Sequence, residues 1–175
     1  MINDVLIRDA HRYDLPVLQT IEVIAGRLFV DIAMPEIAGD KPLPLPKLER
    51  YQRSGLAWVA ADTNDHPIAY LIADEVDGNL HIEQVSVHPD HARQGIGRRL
   101  IERSAQEARA RKLPALTLTT FRDVPWNAAY YHRCGFETID PADHNPGLRR
   151  IRKHEAEQGL DRWPRVCMRK MLIGR

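Results

Sequence analysis

The stretch with the clearest chemical meaning is Arg93-Gln94-Gly95-Ile96-Gly97-Arg98-Arg99. It separates a strand-like run ending Val85-Ser86-Val87-His88-Pro89 from a helix-like run. Glycine lets successive backbone N–H groups converge with no side chain in the way. The first turn of a helix adds unsatisfied N–H groups and a partial positive charge. Together they make an anion site suited to a diphosphate, to which Arg93, Arg98 and Arg99 add full charges. A plain strand-to-helix turn that needs glycine reads the same way. The pattern is neither GxxxxGK[ST] nor GxGxxG after an N-terminal strand, so a Walker loop and a dinucleotide fold are unsupported.

Just upstream, His81 and Glu83 alternate along a predicted strand, His81–Val87. They share one face with Val85 and Val87, and Ile82, Gln84 and Ser86 take the other. A carboxylate and an imidazole on one face can act as general bases. They are equally what a half-exposed strand carries. Cys134 and Cys167 stand far apart and neither belongs to a CxxC pair, so neither zinc nor a redox motif is suggested. Cys167 reads as a small buried residue, since an acyl-cysteine route needs a paired base that the sequence does not identify. His88, His91 and His132 show no metal spacing. The run Arg149–His154 reads as a solvated helix face.

The elements that must position these groups follow from periodicity. Val5–Ile7 reads as a first strand, and Asp14 as the cap of a helix beginning near Leu15-Pro16. A proline-punctuated segment follows, with a short helix through Leu48–Arg53. Leu56–Ala61 and Ile68–Ala73 form a hairpin about Asn64-Asp65-His66-Pro67, and Asp77-Gly78 makes the next turn. Arg98–Arg111 reads as a long helix with Leu100, Ile101, Ala105 and Ala108 as its apolar stripe. Strand Leu116–Thr120, helix Trp126–Cys134, strand Phe136–Ile139, helix Leu148–Gln158 and strand Val166–Leu172 complete the chain. The loop Phe121–Trp126 is placed to contact an acceptor, or is a proline-stiffened loop with Trp126 as a core plug, which is the reading preferred. Hairpins followed by a crossover helix predict an α/β fold built on a mixed sheet with helices on its faces.

The chain has 175 residues and a formal net charge of +1, which fits one domain, 1–175, and gives no overall field toward nucleic acid or an acidic membrane. Residues 1–8 hold no apolar signal core, and no run approaches the ~20 apolar residues of a membrane span. A cytoplasmic protein is expected.

In the turn and its setting, the chain resembles the GNAT superfamily of acyl-CoA-dependent N-acyltransferases. That family's pyrophosphate motif is [QR]-x-x-G-x-[GA], and the matching stretch is Ala92-Arg93-Gln94-Gly95-Ile96-Gly97, with Ala92 where the family has Gln or Arg. Element order and the segment Asn127–Phe136 also match. The resemblance implies a largely antiparallel seven-stranded sheet flanked by helices, its fourth and fifth strands splayed to admit the coenzyme. It implies acetyl-CoA as co-substrate, held along Val85, Ser86, Val87, Arg93, Gln94, Gly95, Ile96, Gly97, Arg98, Asn127 and Tyr131, and no metal. Glu83 is implied as base, with His81 second. Tyr131, spaced Y-x-x-x-G-F before Gly135-Phe136, is implied as general acid, with Tyr130 competing. Asn127 sits one turn before Tyr131 and is read either as a coenzyme contact or as a helix cap. A small-molecule amine is the expected acceptor, with a protein or peptide acceptor, or a non-catalytic acyl-CoA-binding module, as the alternatives, and a homodimer is left open.

Overall fold

The computed structural model describes residues 4–39 and 41–172. In chain order the elements are β1 (Leu6–Asp9), α1 (Leu15–Gly26), α2 (Pro35–Ala38), α3 (Leu45–Arg53), β2 (Ala57–Ala61), β3 (Pro67–Val76) and β4 (Asn79–Val87). They continue with α4 (Ile96–Ala110), β5 (Ala115–Phe121), α5 (Ala128–Arg133), β6 (Glu137–Ile139), α6 (Pro146–Glu157) and β7 (Arg165–Met171). The seven strands order as β1-β2-β3-β4-β5-β7-β6. β1/β2, β2/β3, β5/β7 and β6/β7 are antiparallel, and β4/β5 is parallel. The expected mixed, mostly antiparallel sheet is therefore present, and α2 is an element the periodicity did not reveal. No helix among the described residues is long and apolar enough to cross a membrane.

Contacts divide the chain into two compact units: Met1–Ala73 with Gln84–Ser104, and Asp74–Glu83 with Ala105–Arg175. In the first, alternation along β2 and β3 sends Ala57, Val59, Tyr70 and Ile72 toward Leu15, Leu18 and Ile21 of α1 and Leu48 and Tyr51 of α3. Trp58 takes the opposite face, where the Arg103 guanidinium of α4 lies 5.5 Å from its ring centroid. Helix α3 begins at Leu45 rather than Leu48, because proline is tolerated in a first helical turn and Pro46 occupies it. Asp14 sits at the N-cap of α1 but makes no side-chain cap bond. Its carboxylate instead accepts from Arg8 Nη1 at 2.8 Å and from the His11 N–H at 2.7 Å. A charged donor outcompetes the helix amides for it.

In the second unit, β7 lies between β5 and β6, with Cys167 in register with both Thr119 and Ile139. Ile139, Cys167 and Leu148 form a buried cluster with Ile151 packed against it, which seats α6 on this sheet. The N-terminus of α6 is capped from outside its own segment. Asp77, in the turn between β3 and β4, accepts from the N–H of Gly147 at 2.7 Å and of Leu148 at 3.0 Å. Asn145, the local N-cap residue, makes no side-chain cap bond.

Candidate active site

In the first unit, β4 ends at Val87 and a short turn leads into α4. The His88 N–H donates to the Ile68 carbonyl at 2.9 Å, and His88 Nδ1 accepts from the Asp90 N–H at 3.1 Å. Arg93 and Gly95 both take left-handed backbone conformations, with φ of 61° and 75°. A β-carbon on Gly95 would meet no heavy atom within 4 Å, so the requirement there is conformational rather than steric. Helix α4 starts at Ile96, so Gly97 lies inside its first turn, and the Arg99 N–H already bonds the Gly95 carbonyl at 3.1 Å. By helix geometry the amides of Ile96, Gly97 and Arg98 have no acceptor within the helix.

Arg93, Gln94, Gly95 and Arg98 are exposed, and Ile96 and Gly97 are buried. Arg99 has a structural partner as well: its guanidinium donates to the Val5 carbonyl at 2.8 Å and ties α4 to the start of the chain. Val85 and Val87 are half-buried. Ser86 points to the other face, where its hydroxyl accepts from Gln84 Nε2 at 3.0 Å. The Tyr70 phenol is buried close to Glu22, Ser86 and Gln84. Burial, reinforced by the Glu22 charge, holds its pKa well above the usual tyrosine value. Its Oη makes no well-formed hydrogen bond among the described residues. Neither Tyr70 nor Glu22 gave a sequence signal, because Tyr70 lies inside an apolar run and Glu22 on an ordinary helix.

In the second unit, His81 and Glu83 share a face of β4 at very different depths. His81 is 1% exposed and Glu83 is exposed. His81 Nδ1 lies 2.8 Å from Thr117 Oγ1, the residue in register with it on β5. Burial lowers the imidazole pKa to about 4, outweighing the opposing pull of Glu155, Asp74 and Asp77. The ring is therefore neutral at neutral pH and less basic than a free histidine. Thr117 is a partner the sequence reading missed, and only the parallel register brings it to His81.

Tyr131 is half-buried in α5, with its ring edge-to-face against Phe136 at 5.8 Å and against Tyr130 at 5.4 Å. Burial first, then the neighbouring Tyr130 and Cys134, pushes its pKa well above the usual tyrosine value. It stays a protonated donor throughout the neutral range. Tyr130 packs differently, with the Arg133 guanidinium 5.8 Å from its ring centroid. Asn127 occupies the N-cap position of α5, and its carbonyl accepts from the Tyr131 N–H at 3.0 Å. Its side chain makes no cap bond, so the capping alternative holds for its backbone only. Before it, Val124 is 5% exposed and Trp126 is 37% exposed, so Val124 rather than Trp126 plugs the loop.

A half-buried ionic network braces the same sheet. Thr119 Oγ1 donates to Glu155 Oε2 at 2.6 Å, and Arg165 donates to that oxygen at 2.8 Å. Burial pushes the Glu155 pKa up, but Arg165, Thr119 and Arg152 outweigh it and hold the carboxylate below its usual range. Arg152 of the basic run pairs with Glu155 and Asp161 at 2.8 and 2.7 Å, and Arg149, Arg150, Lys153 and His154 are exposed, as a solvated helix face requires. Cys134 and Cys167 are both free and buried. No group of three or more His, Cys, Asp or Glu among the described residues is placed to hold a metal ion.

Residues 27–136 match the acetyltransferase (GNAT) family. Among solved structures, the chain is similar to the PaiA N-acetyltransferase of Thermoplasma acidophilum, determined in complex with coenzyme A. The identity is 13% and the TM-score 0.68, over 95% of this chain and 98% of that one. It is also similar to the ribosomal-protein-S18-alanine N-acetyltransferase of Escherichia coli, at 19% identity and TM-score 0.68, over 98% and 96%. A third is Rv2747 of Mycobacterium tuberculosis in complex with CoA and NLQ, at 18% identity and TM-score 0.68, over 96% and 99%. At these identities the likenesses bear on the fold.

Proposed function

Because the chain belongs to the acetyltransferase (GNAT) family, we propose that it moves an acetyl group from acetyl-CoA to the amine of a small molecule, by direct attack in a ternary complex in the cytoplasm. The observation that carries this reading is the turn before α4. Gly95 is left-handed and exposed, and the first-turn amides of α4 follow it directly. Exposed Arg93 and Arg98 flank them. Backbone N–H groups at a helix N-terminus favour a diphosphate without further chemistry. Arg93 supplies the charge that Ala92 lacks.

An alkylammonium with a pKa near 10 is mostly protonated at neutral pH, so the amine must lose a proton before it attacks. Glu83, exposed on β4, takes that proton through a water. His81 stays neutral below it and, bonded to Thr117, holds its place on the strand. The backbone of Val85–Val87 pairs with the pantetheine arm, and an N–H there steadies the charge developing on the thioester oxygen. Asn127 contacts the arm from α5. Tyr131 gives its proton to the departing sulfur, and its raised pKa means that the phenol is in its protonated form when the coenzyme binds.

The test is a panel of small amines and of peptides with free N-termini or lysines, read by thiol release from acetyl-CoA. Release with small amines is expected. Release with peptides alone would make the acceptor a protein, and tight coenzyme binding with no release from any acceptor would make the chain a binding module.

A further inference from the structure

His88 occupies a turn position that the chain elsewhere gives to an aspartate. It leads into the single 3-10 turn Pro89–His91, and its Nδ1 accepts from the Asp90 N–H at 3.1 Å. Asp140 leads into the turn Pro141–Asp143, and its Oδ1 accepts from the Ala142 N–H at 2.9 Å. Proline follows in both cases, and the backbones nearly coincide. φ and ψ are −55° and 132° at His88, and −58° and 135° at Asp140. In both, a side-chain acceptor closes the turn by bonding the amide two residues on. The two acceptors differ in one respect. A carboxylate goes on accepting throughout the neutral range, whereas an imidazole nitrogen stops accepting once it takes a proton. A backbone N–H can only donate, so the bond from Asp90 requires Nδ1 to carry no hydrogen.

This turn stands directly before the residues that face the coenzyme. The His88 N–H is fixed on the Ile68 carbonyl of β3 at 2.9 Å. The His91 and Ala92 N–H groups bond the His88 and Pro89 carbonyls at 2.9 and 3.2 Å. Arg93 comes next, left-handed with φ of 61°, a conformation that a non-glycine residue keeps only where its neighbours impose it. With the His88 end anchored on β3, loss of the Nδ1 bond is felt on the Arg93 side. The His88 side chain is 28% exposed, so a proton can reach it. Asp90 Oδ2 lies 3.8 Å from Nδ1 and is placed to accept from the protonated ring, so a carboxylate would replace the amide as its partner. That ion pair offsets the added charge, and the change is one of shape more than of field. The His91 ring is 6.1 Å away, edge-on, and Asp62 of the turn between β2 and β3 acts on His66 and His91. We propose that His88 is a positioning residue for the coenzyme, on the reading of the turn before α4 as the diphosphate site. With a neutral ring it closes the turn that presents Arg93 and the first amides of α4, and on protonation it releases that turn.

The experiment titrates coenzyme A into the full-length wild type, His88→Asn and His88→Ala by calorimetry between about pH 5 and 8, the span in which imidazoles change charge. The Asp90 amide resonance, followed by 15N NMR without coenzyme, reports the bond itself. Asn supplies an acceptor that does not titrate, and Ala supplies none. Relative to His88→Asn, wild-type affinity should fall about fivefold from the alkaline to the acid end, the size of a lost cap. The Asp90 amide should shift over the same span in the wild type and hold still in His88→Asn. His88→Ala should bind about fivefold more weakly than the other two at the alkaline end and meet the wild type at the acid end. Titration of His91 and of the coenzyme's own phosphates is common to all three proteins and drops out of the comparison. An Asp90 amide that ignores pH in the wild type, or a wild-type affinity profile parallel to that of His88→Asn, would overturn the proposal alone. No coenzyme binding by any of the three at any pH would overturn the diphosphate reading and the proposal with it.

Discussion

His81 Nδ1 lies 2.8 Å from the Thr117 hydroxyl, across the parallel register of β4 and β5. The pair makes stability depend on pH with a definite sign. Folding lowers the imidazole pKa from 6.5 to about 4, so the folded state resists a proton that the unfolded chain accepts. The contribution is complete above pH 6.5 and is lost as pH falls from there through about 4, where it amounts to on the order of 3 kcal/mol. The thermal midpoint of the wild type should fall across that window, and His81→Leu should flatten the dependence. Asp14 and Glu155 are held below their usual carboxylate range, so their losses come at lower pH. Equal slopes in both proteins would remove His81 from this role.

Asp77 and Gly147 make a second dependence. A β-carbon on Gly147 would lie 2.6 Å from Asp77 Oδ1 and 2.6 Å from Val76 Cγ1. Gly147→Ala must therefore push the capping carboxylate aside, at a cost of about 2 kcal/mol in urea unfolding. Asp77→Ala removes the cap itself and should cost about 1 kcal/mol. If Gly147→Ala unfolds at the same urea concentration as wild type, α6 is not held this way.

The turn before α4 separates two arginines that look alike in sequence. Arg93→Ala should raise the KM for acetyl-CoA, more so at low salt, with little change in stability. Arg99→Ala should lower stability and change that KM less, because the Arg99 guanidinium is held against the Val5 carbonyl. Gly95→Ala adds about 1 kcal/mol of backbone strain at a left-handed position and should raise the KM as well. Initial rates and melts of the three variants decide the matter. A larger KM effect from Arg99→Ala than from Arg93→Ala would reverse the assignment.

Tyr131→Phe keeps the ring against Phe136 and removes only the proton. Turnover should fall on the order of a hundredfold, with acetyl-CoA affinity little changed. Glu83→Gln should abolish the acid limb of the kcat/KM profile. Undiminished turnover in Tyr131→Phe would leave the sulfur to be protonated by solvent.

Periodicity and spacing carried the fold far. The apolar stripe Leu100, Ile101, Ala105 and Ala108 is fully buried in α4, and Asp77-Gly78 does turn the chain between β3 and β4. What escaped was long-range. Asp77 reads as a turn residue from its neighbours alone, and its second task, capping α6, depends on a segment far along the chain. Thr117 reads as a β-former until the register of β4 and β5 sets it against His81. Asp14 reads as a cap until Arg8 claims its carboxylate. Trp126 read as a plug because of its size, but the loop turns Val124 inward instead. For Asp77 and Thr117 a partner distant in sequence decides what a locally legible residue does, and for Asp14 it is a charged donor six residues away.

The most direct test of acetyl transfer from acetyl-CoA to an amine follows the acetyl group itself. The protein is incubated with isotopically labelled acetyl-CoA and the amine pool, quenched at intervals, and both small molecules and intact protein are weighed by mass spectrometry. Direct attack predicts that the label appears on an amine nitrogen while the protein stays unmodified at every time. Label on Cys134 or Cys167 before the amine, or coenzyme consumed with no acetylated amine, would contradict it.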